Sequence, residues 1–375
     1  MATTYLNKTL SGSPTNGKKW TWSAWVKKTK NEIIQPLFYA DNGSANYYTT
    51  IRFHDTNSIV FRNKYSSDQG YLITTSVYRD TNAWYHIVAV YDSDNSTSGD
   101  RMILYVNGNR ITAYDNEAYP GSSAGSTIND GYEHRIGRGN QVDGSSYFDG
   151  IMSHVHFCDG YAYSASDFGQ TNSVTGEWSI KTSPSVSYGT NGFFILKDGN
   201  SVTDQSGNSN NFTVGGGTLT NTEDCPSNVF ATLNSLSQTG NFTLSGSELP
   251  TNGSTVFTGK SSNNYPGFFS TLAASAGKYY AEFKVTSAAQ GDSMIGVSNG
   301  LWNNVALGGS AGSYGSQDYV YFGYNGQIYN NGSGSAYGSA ISLNDIVQIA
   351  LDCDNSAMYV GVNGTYQNSG VPTSG

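Results

Sequence analysis

The chain is poor in charge, in proline and in cysteine. Of its 375 residues only 13% are Asp, Glu, Lys or Arg, about half the usual quarter. The 19 basic and 28 acidic residues leave a net charge of −9. Nucleic-acid binding needs a basic footprint to displace counterions, so no nucleic acid is expected as a partner. No stretch offers 18 uninterrupted apolar residues, which excludes a membrane-spanning helix, and no membrane partner is expected. The first dozen residues hold no apolar run behind a basic start, so no secretory signal peptide is expected. Three cysteines, Cys158, Cys225 and Cys353, are odd in number and far apart. They suit neither a disulfide framework nor a zinc cluster, whose ligands come in close pairs.

What is abundant is glycine (45) and tyrosine (28), with aromatics at 13%, too many to leave the chain disordered. Helical periodicity is almost missing. Short runs instead alternate apolar and polar residues and end in Asn, Gly or Asp, the mark of half-buried antiparallel strands. Residues 20–28, 48–53, 58–61, 83–91, 102–106, 134–136 and 148–157 read this way, and 164–168 reads as one helical turn. Asn107-Gly108 follows the run 102–106 and predicts a type I′ hairpin, which needs positive φ at both central residues. A second block repeats the pattern at 278–285, 294–298, 319–324, 346–351 and 359–362, the last running into Asn363-Gly364. The blocks rhyme about 260 residues apart: a central strand, an acidic turn (Asp92, Asp94; Asp352, Asp354), a partner strand and an Asn-Gly hairpin. The fold class expected is all-β, two tandem antiparallel β-sandwiches. The basic cluster Lys18, Lys19, Lys27, Lys28 and Lys30 reads as solvated strand ends. The expected boundaries are a first sandwich over 1–215, a Gly/Thr-rich linker over 216–227 and a second sandwich over 228–375.

Tyr5-Leu6, the run Trp20-Thr21-Trp22-Ser23-Ala24-Trp25, Trp84-Tyr85-His86, Asn107-Gly108, His134-Arg135-Ile136-Gly137 and Tyr147-Phe148-Asp149-Gly150 together resemble a laminin-G/concanavalin-A-like domain of the kind found in bacteriophage virion proteins, especially of marine phages. The segment Asp204-Gln205-Ser206-Gly207-Asn208 precedes the Trp-rich strand in many such domains. Here it follows, which implies a permuted order with residues 188–215 completing the first sandwich. Residues 228–375 resemble a SPRY-type sandwich through Gly277-Lys278-Tyr279-Tyr280-Ala281-Glu282-Phe283, Ile295-Gly296-Val297 and Asp345 to Asp354. SPRY domains continue past the last hairpin, so an incomplete second sandwich, or strands from a neighbouring chain, is implied.

The concanavalin-A-like superfamily includes glycosidases, which need two facing carboxylates. Only Asp92/Asp94 and Asp352/Asp354 have the alternate spacing that puts two acids on one strand face, and both sit where turn-forming side chains are expected. No enzymatic activity is expected. His154 and His156 share a face by alternation, but no third ligand stands at suitable spacing, and they read as a polar outer face opposite Val155 and Phe157. The resemblance implies a possible calcium site at a rim, for which Asp92, Asp94, Asp100 and Asp204 are the oxygen-rich candidates; no other cofactor is expected. Aromatics anchor ligands at low entropic cost, which makes Trp302, Tyr314, Tyr329 and Tyr337, in a Gly/Asn/Ser-rich stretch, the ligand-binding candidates. The resemblance thus implies a structural and adhesion component on the virion exterior, made in the host cytoplasm. It would be a tail fibre, spike or capsid appendage that binds other virion proteins and host cell-surface polysaccharide, as a homo-oligomer of the trimeric kind. A purely structural decoration protein and a polysaccharide-degrading enzyme are the two alternatives.

Overall fold

The computed structural model describes residues 3–140, 146–173, 176–197, 199, 201–222, 224–239, 249–251, 253–258, 267–287, 293–299 and 318–374. They form two compact units: Met1–Ala231 with Thr251–Ser254, and Thr232–Pro250 with Thr255–Gly375.

The described strands of the first unit are, in chain order, β1 (Tyr5–Thr9), β2 (Lys19–Lys28), β3 (Gln35–Asp41), β4 (Tyr47–Phe53), β5 (Ile59–Tyr65), β6 (Asp68–Thr74), β7 (Tyr85–Asp92), β8 (Met102–Val106), β9 (Asn109–Arg110), β10 (Tyr114–Ala118), β11 (Glu133–Ile136), β12 (Gly150–Asp159), β13 (Gly169–Thr171), β14 (Trp178–Ile180), β15 (Phe193–Ile195) and β16 (Thr213–Gly216). One helical turn, α1 (Ala165–Phe168), precedes β13. They build an eight-stranded sheet in the order β10-β6-β5-β4-β3-β11-β1-β16 and a six-stranded sheet in the order β15-β12-β2-β7-β8-β9. Residues 188–215 do complete this sandwich: β15 pairs with β12, and β16 with β1.

Alternation sends one side chain set of each sheet into the shared core. Trp20, Trp22, Ala24, Val26, Ile87, Ala89, Tyr91, Val155 and Phe157 of one sheet meet Phe38, Ile51, Phe53, Phe61 and Ile136 of the other. The opposite face of the six-stranded sheet is not solvated, contrary to the half-buried reading. Residues 161–173 and 176–188 cover it through α1 and β14, and Val88, Val90, Cys158, Ala165 and Phe168 form a second cluster with Tyr105, Trp178 and Tyr188.

This outer cover corrects the reading of the histidine pair. Strand β12 carries a bulge between Ser153 and His156, with His154 at φ +49°, so strict alternation fails there. His156 is on the outer face as expected but buried under that layer, its ring 4.0 Å from Phe194 and its Nδ1 2.9 Å from the Tyr188 hydroxyl. The reading of the lysine cluster is corrected as well. Lys27 and Lys28 are fully buried. Lys27 Nζ lies 2.8 Å from Asp224 Oδ2, and Lys28 Nζ donates to Asn57 Oδ1 at 3.1 Å and sits 4.9 Å over the Phe53 ring. Burial, with the Arg79 charge nearby, lowers the Lys28 amine to about 8. Residues 216–227 are therefore not a free linker: Asp224 is buried in the first unit, which runs to Ala231.

The second unit contains β17 (Leu233–Thr239), β18 (Gly267–Ser270), β19 (Lys278–Lys284), β20 (Met294–Val297), β21 (Tyr319–Phe322), β22 (Gln327–Asn330), β23 (Ser333–Ala336), β24 (Ile346–Asp352), β25 (Ala357–Val362) and β26 (Thr365–Tyr366). Its two larger sheets run β19-β24-β25-β26 and β20-β21-β22-β23, around Tyr321, Ile341, Val347, Ile349 and Val360.

The rhyme between the sequence blocks extends to individual hydrogen bonds. The order β2-β7-β8-β9 in the first unit is matched by β19-β24-β25-β26 in the second. Lys19 faces Asp92 and Lys278 faces Asp352 across the first ladder, with ion pairs of 3.0 and 2.9 Å. Ser93 N–H donates to Lys18 O and Cys353 N–H to Gly277 O, both at 3.0 Å. His86 N–H donates to Asn107 Oδ1 at 2.8 Å and Ile346 N–H to Asn363 Oδ1 at 2.9 Å. Both hairpins then turn through positive φ at the two central residues: Asn107 (47°) and Gly108 (83°), Asn363 (51°) and Gly364 (82°). The acidic turns are thus structural devices that seat a strand-end lysine.

Candidate functional site

Each of the four calcium candidates is held by protein donors. Asp92 pairs with Lys19. Asp94 accepts the Ser123 hydroxyl at 2.8 Å. Asp100 pairs with Arg110 at 2.5 Å. Asp204 accepts the N–H groups of Phe194, Ser206 and Asn210 and the Ser206 hydroxyl, all within 2.9 Å, which closes its turn. Among the described residues no three His, Cys, Asp or Glu side chains converge as metal ligands do. With these acids bonded by protein donors, addition of EDTA is expected to leave the melting temperature unchanged; a fall of several degrees would contradict this.

Of the aromatic candidates, Trp302 and Tyr314 lie outside the described residues. Tyr337 packs edge-on against Tyr321 and its hydroxyl accepts the Val360 N–H at 3.3 Å, so it braces the second core. Tyr329 stands against Phe322 and bonds Gln327 Oε1 at 2.9 Å.

An aromatic site that the sequence did not single out lies at one end of the first sandwich. Strands β4 and β5 are in register with Tyr47 opposite Tyr65, and their rings meet edge-to-face at 5.1 Å and 75°. The tip of the β3–β4 hairpin and the turn after β5 are tied by Ser66 N–H donating to Asn46 O at 3.0 Å. Asn46, Tyr47, Lys64, Ser66 and Ser67 line an open depression there. Tyr47 and Lys64 are half-buried, Asn46, Ser66 and Ser67 exposed. No ion pair occupies Lys64 among the described residues. Behind the depression the Tyr65 hydroxyl reaches Asp130 Oδ2 at 3.4 Å. Burial first, and then the Asp130 carboxylate, push the Tyr65 phenol up, so it remains a neutral donor.

The backing loop is fixed from below by Asp159, a fully buried acid. It accepts the N–H of Thr15 (2.7 Å), Asn16 (3.2 Å) and Asn191 (3.0 Å) and the Asn129 amide (2.7 Å). Donors from three loops converge on one carboxylate and satisfy it without a cation. Asn129 is next to Asp130, so this network also sets the position of the group that orients Tyr65. The arrangement offers a braced aromatic face, an ammonium group, two hydroxyls and an amide in one open depression. Chemically it can stack on a sugar ring and hydrogen-bond its hydroxyls.

Residues 3–167 match the family model described as the concanavalin A-like lectin/glucanases superfamily. The rim residues all fall inside that match, and the first sandwich has the concanavalin-A/laminin-G-like fold. No curated protein sequence matches the chain. Among solved structures, a putative carbohydrate binding protein from Bacteroides ovatus is 15% identical over 61% of this chain and 60% of its own, with a TM-score of 0.40. Domains LG4-5 of the mouse laminin alpha1 chain are 8% identical over 97% of this chain and 74% of theirs, at 0.33. A heptameric SAP-like pentraxin from Limulus polyphemus is 16% identical over 43% of this chain and 71% of its own, at 0.30.

Proposed function

We propose that the chain is a non-catalytic adhesion component of a bacteriophage virion, carried on the particle exterior, whose first sandwich binds host surface glycan at the Tyr47–Lys64 depression. The observation that carries the glycan reading is the half-buried Tyr47 ring, braced by Tyr65 and bordered by Asn46, Lys64, Ser66 and Ser67, in the part of the chain that matches the lectin superfamily. The virion assignment rests on the sequence resemblance. The non-catalytic reading is supported by the two Asp-x-Asp pairs, whose members seat a lysine or hold a turn. Lys64 gives the depression a preference for glycans that carry a carboxylate or sulfate.

Truncating an anchoring aromatic in a binding site costs about 1–2 kcal/mol, so Tyr47→Ala is expected to weaken glycan binding about tenfold with little change in melting temperature. Lys64→Ala should weaken acidic glycans more than neutral ones. The decisive experiment is adsorption of the fluorescently labelled chain to a panel of marine bacterial strains. Saturable binding to a strain, lost when its surface polysaccharide is stripped and reduced by Tyr47→Ala, supports the reading. Binding that survives stripping, or that Tyr47→Ala leaves intact, sinks it.

A further inference from the structure

We propose that β19 is a self-association edge, through which two copies of this chain join their second sandwiches into one continuous antiparallel sheet across a two-fold axis. The inference is independent of the glycan reading. It starts from the repeated module. In the first unit β2 is flanked by β7 on one side and by β12 on the other. Its counterpart β19 pairs with β24 on the equivalent side, and among the described residues it is the outermost strand of its sheet. The inward side chains of β2, Trp20, Trp22, Ala24 and Val26, are fully buried. All seven residues of β19 are exposed. Tyr279 and Phe283 stand opposite Leu351 and Val347, on the core side of the sheet, yet are 52% and 37% accessible. Tyr280, on the other face, is 55% accessible.

The backbone is oriented for pairing. Gly277 O accepts Cys353 N–H, and Val285 N–H donates to Asp345 O. Alternate residues between them therefore bond toward β24, and the N–H and C=O groups of Lys278, Tyr280, Glu282 and Lys284 point to the open edge. The strand has no proline, and its register with β24 is unbroken. Such an edge is a template for another strand unless something covers it.

The sequence of the edge specifies a second copy as the occupant. Lys278-Tyr279-Tyr280-Ala281-Glu282-Phe283-Lys284 is nearly symmetric about Ala281. Antiparallel self-pairing centred there puts Tyr279 against Phe283 of the other copy on the core face, and Tyr280 against its Glu282 in a hydrogen-bonded pair. A self-complementary patch of this kind is what a two-fold interface requires, and aromatic cross-strand pairs stabilise a ladder. The terminal lysines do not oppose the pairing. Lys278 is bound to Asp352 at 2.9 Å, and Asp354 accepts the neighbouring Gly277 N–H at 2.7 Å. That end is a cluster of one cation and two anions, and it receives Lys284 of the other copy. Two-fold pairing gives a dimer, in place of the trimer that the resemblance implies.

The test uses the full chain. Sedimentation over a wide concentration range should show a monomer–dimer equilibrium. Glu282→Pro removes an N–H that points only to the open edge, where proline is tolerated. It should weaken dimerisation at least tenfold while leaving the melting curve of the monomer unchanged. A second arm stands whether or not that variant folds. Residues facing each other in a non-hydrogen-bonded antiparallel pair have Cα atoms about 4.5 Å apart, within disulfide reach. With Cys225→Ser and Cys353→Ser as background, Ala281→Cys should yield a disulfide-linked dimer under mild oxidation, and Tyr280→Cys should not. A monomer at every concentration, a trimer, or equal cross-linking of the two cysteine variants would overturn the proposal.

Discussion

Acidification from pH 7.5 to pH 5 is expected to remove at least about 4 kcal/mol of stability from the first sandwich, a large part of the whole stability of many domains. Three histidines carry the effect. His86 is sandwiched between Trp25 and Trp178; its Nδ1 accepts the Trp178 indole N–H at 3.0 Å, which leaves its Nε2 to donate to Ser23 Oγ at 2.9 Å. His134 Nε2 accepts the Asn129 N–H at 3.0 Å while Nδ1 donates to Tyr132 O. His156 packs against Phe194 at 4.0 Å and against Tyr188 at 6.1 Å. Each ring nitrogen that would take a proton in His86 and His134 is already an acceptor, and all three side chains are buried. Burial lowers His86 to about 3 and His134 to about 4, and holds His156 well below the usual range, with the His154 ring contributing.

The sign follows from which state binds the proton. In the unfolded chain all three rings protonate near pH 6.5, and in the folded one they stay neutral. The stabilisation is therefore complete above pH 6.5 and is lost as pH falls from there toward 4, at about 1.4 kcal/mol per histidine per pH unit. Five of the six tryptophans, Trp20, Trp22, Trp25, Trp84 and Trp178, lie in the first unit, so urea unfolding followed by tryptophan fluorescence reads this unit. His86→Phe should flatten the slope by about a third. A free energy of unfolding that is level between pH 7.5 and 5 would contradict the assignment of neutral buried rings.

Asp224→Ala is the single substitution with the largest expected cost, about 3–5 kcal/mol, because it removes the carboxylate of a buried ion pair and leaves the Lys27 ammonium desolvated. Both side chains of the pair are 1% accessible, and Asp224 also accepts the Phe230 N–H at 3.0 Å. The pair clamps residue 224 onto the C-terminal end of β2. Replacing both partners with apolar groups, Lys27→Met with Asp224→Leu, should recover most of the loss, since the desolvation cost of both charges disappears together. Urea midpoints of the single and double variants check this. A loss under 1 kcal/mol for Asp224→Ala, the range of exposed ion pairs, would show that the pair is solvated.

Local chemistry explains which parts of this structure could be foreseen. Asn107-Gly108 and Asn363-Gly364 dictate their own turns, and the turn 164–168 closes with Ser164 N–H on the Asp167 carboxylate at 2.8 Å. The repeated strand–turn–strand pattern disclosed both sandwiches, and the completing role of 188–215 came with the resemblance. Contacts between distant residues stayed hidden. Asp224 looked like part of a linker because its partner stands 197 residues earlier. Lys27 and His156 looked solvated because alternation marks only which face a side chain takes, while α1, β14 and Asp224 decide that those places are covered; Lys28 is taken up instead by Asn57 and the Phe53 ring. The Tyr47–Lys64 depression was missed for a similar reason. Its members come from the tips of two hairpins, and nothing in either tip alone marks a site. In the second unit Tyr329 packs on Phe322 and Tyr337 on Tyr321.

The measurement that tests the account most directly is a calorimetric titration of the full chain with oligosaccharides released from a strain it adsorbs to. The wild type, Tyr47→Ala and Lys64→Ala should be compared at pH 7.5, where the buried histidines are neutral and the fold is intact. The account predicts saturable binding by the wild type, about tenfold weaker binding by Tyr47→Ala, and a loss for Lys64→Ala confined to acidic oligosaccharides. Equal affinity in all three proteins would place the glycan site elsewhere and contradict the central claim.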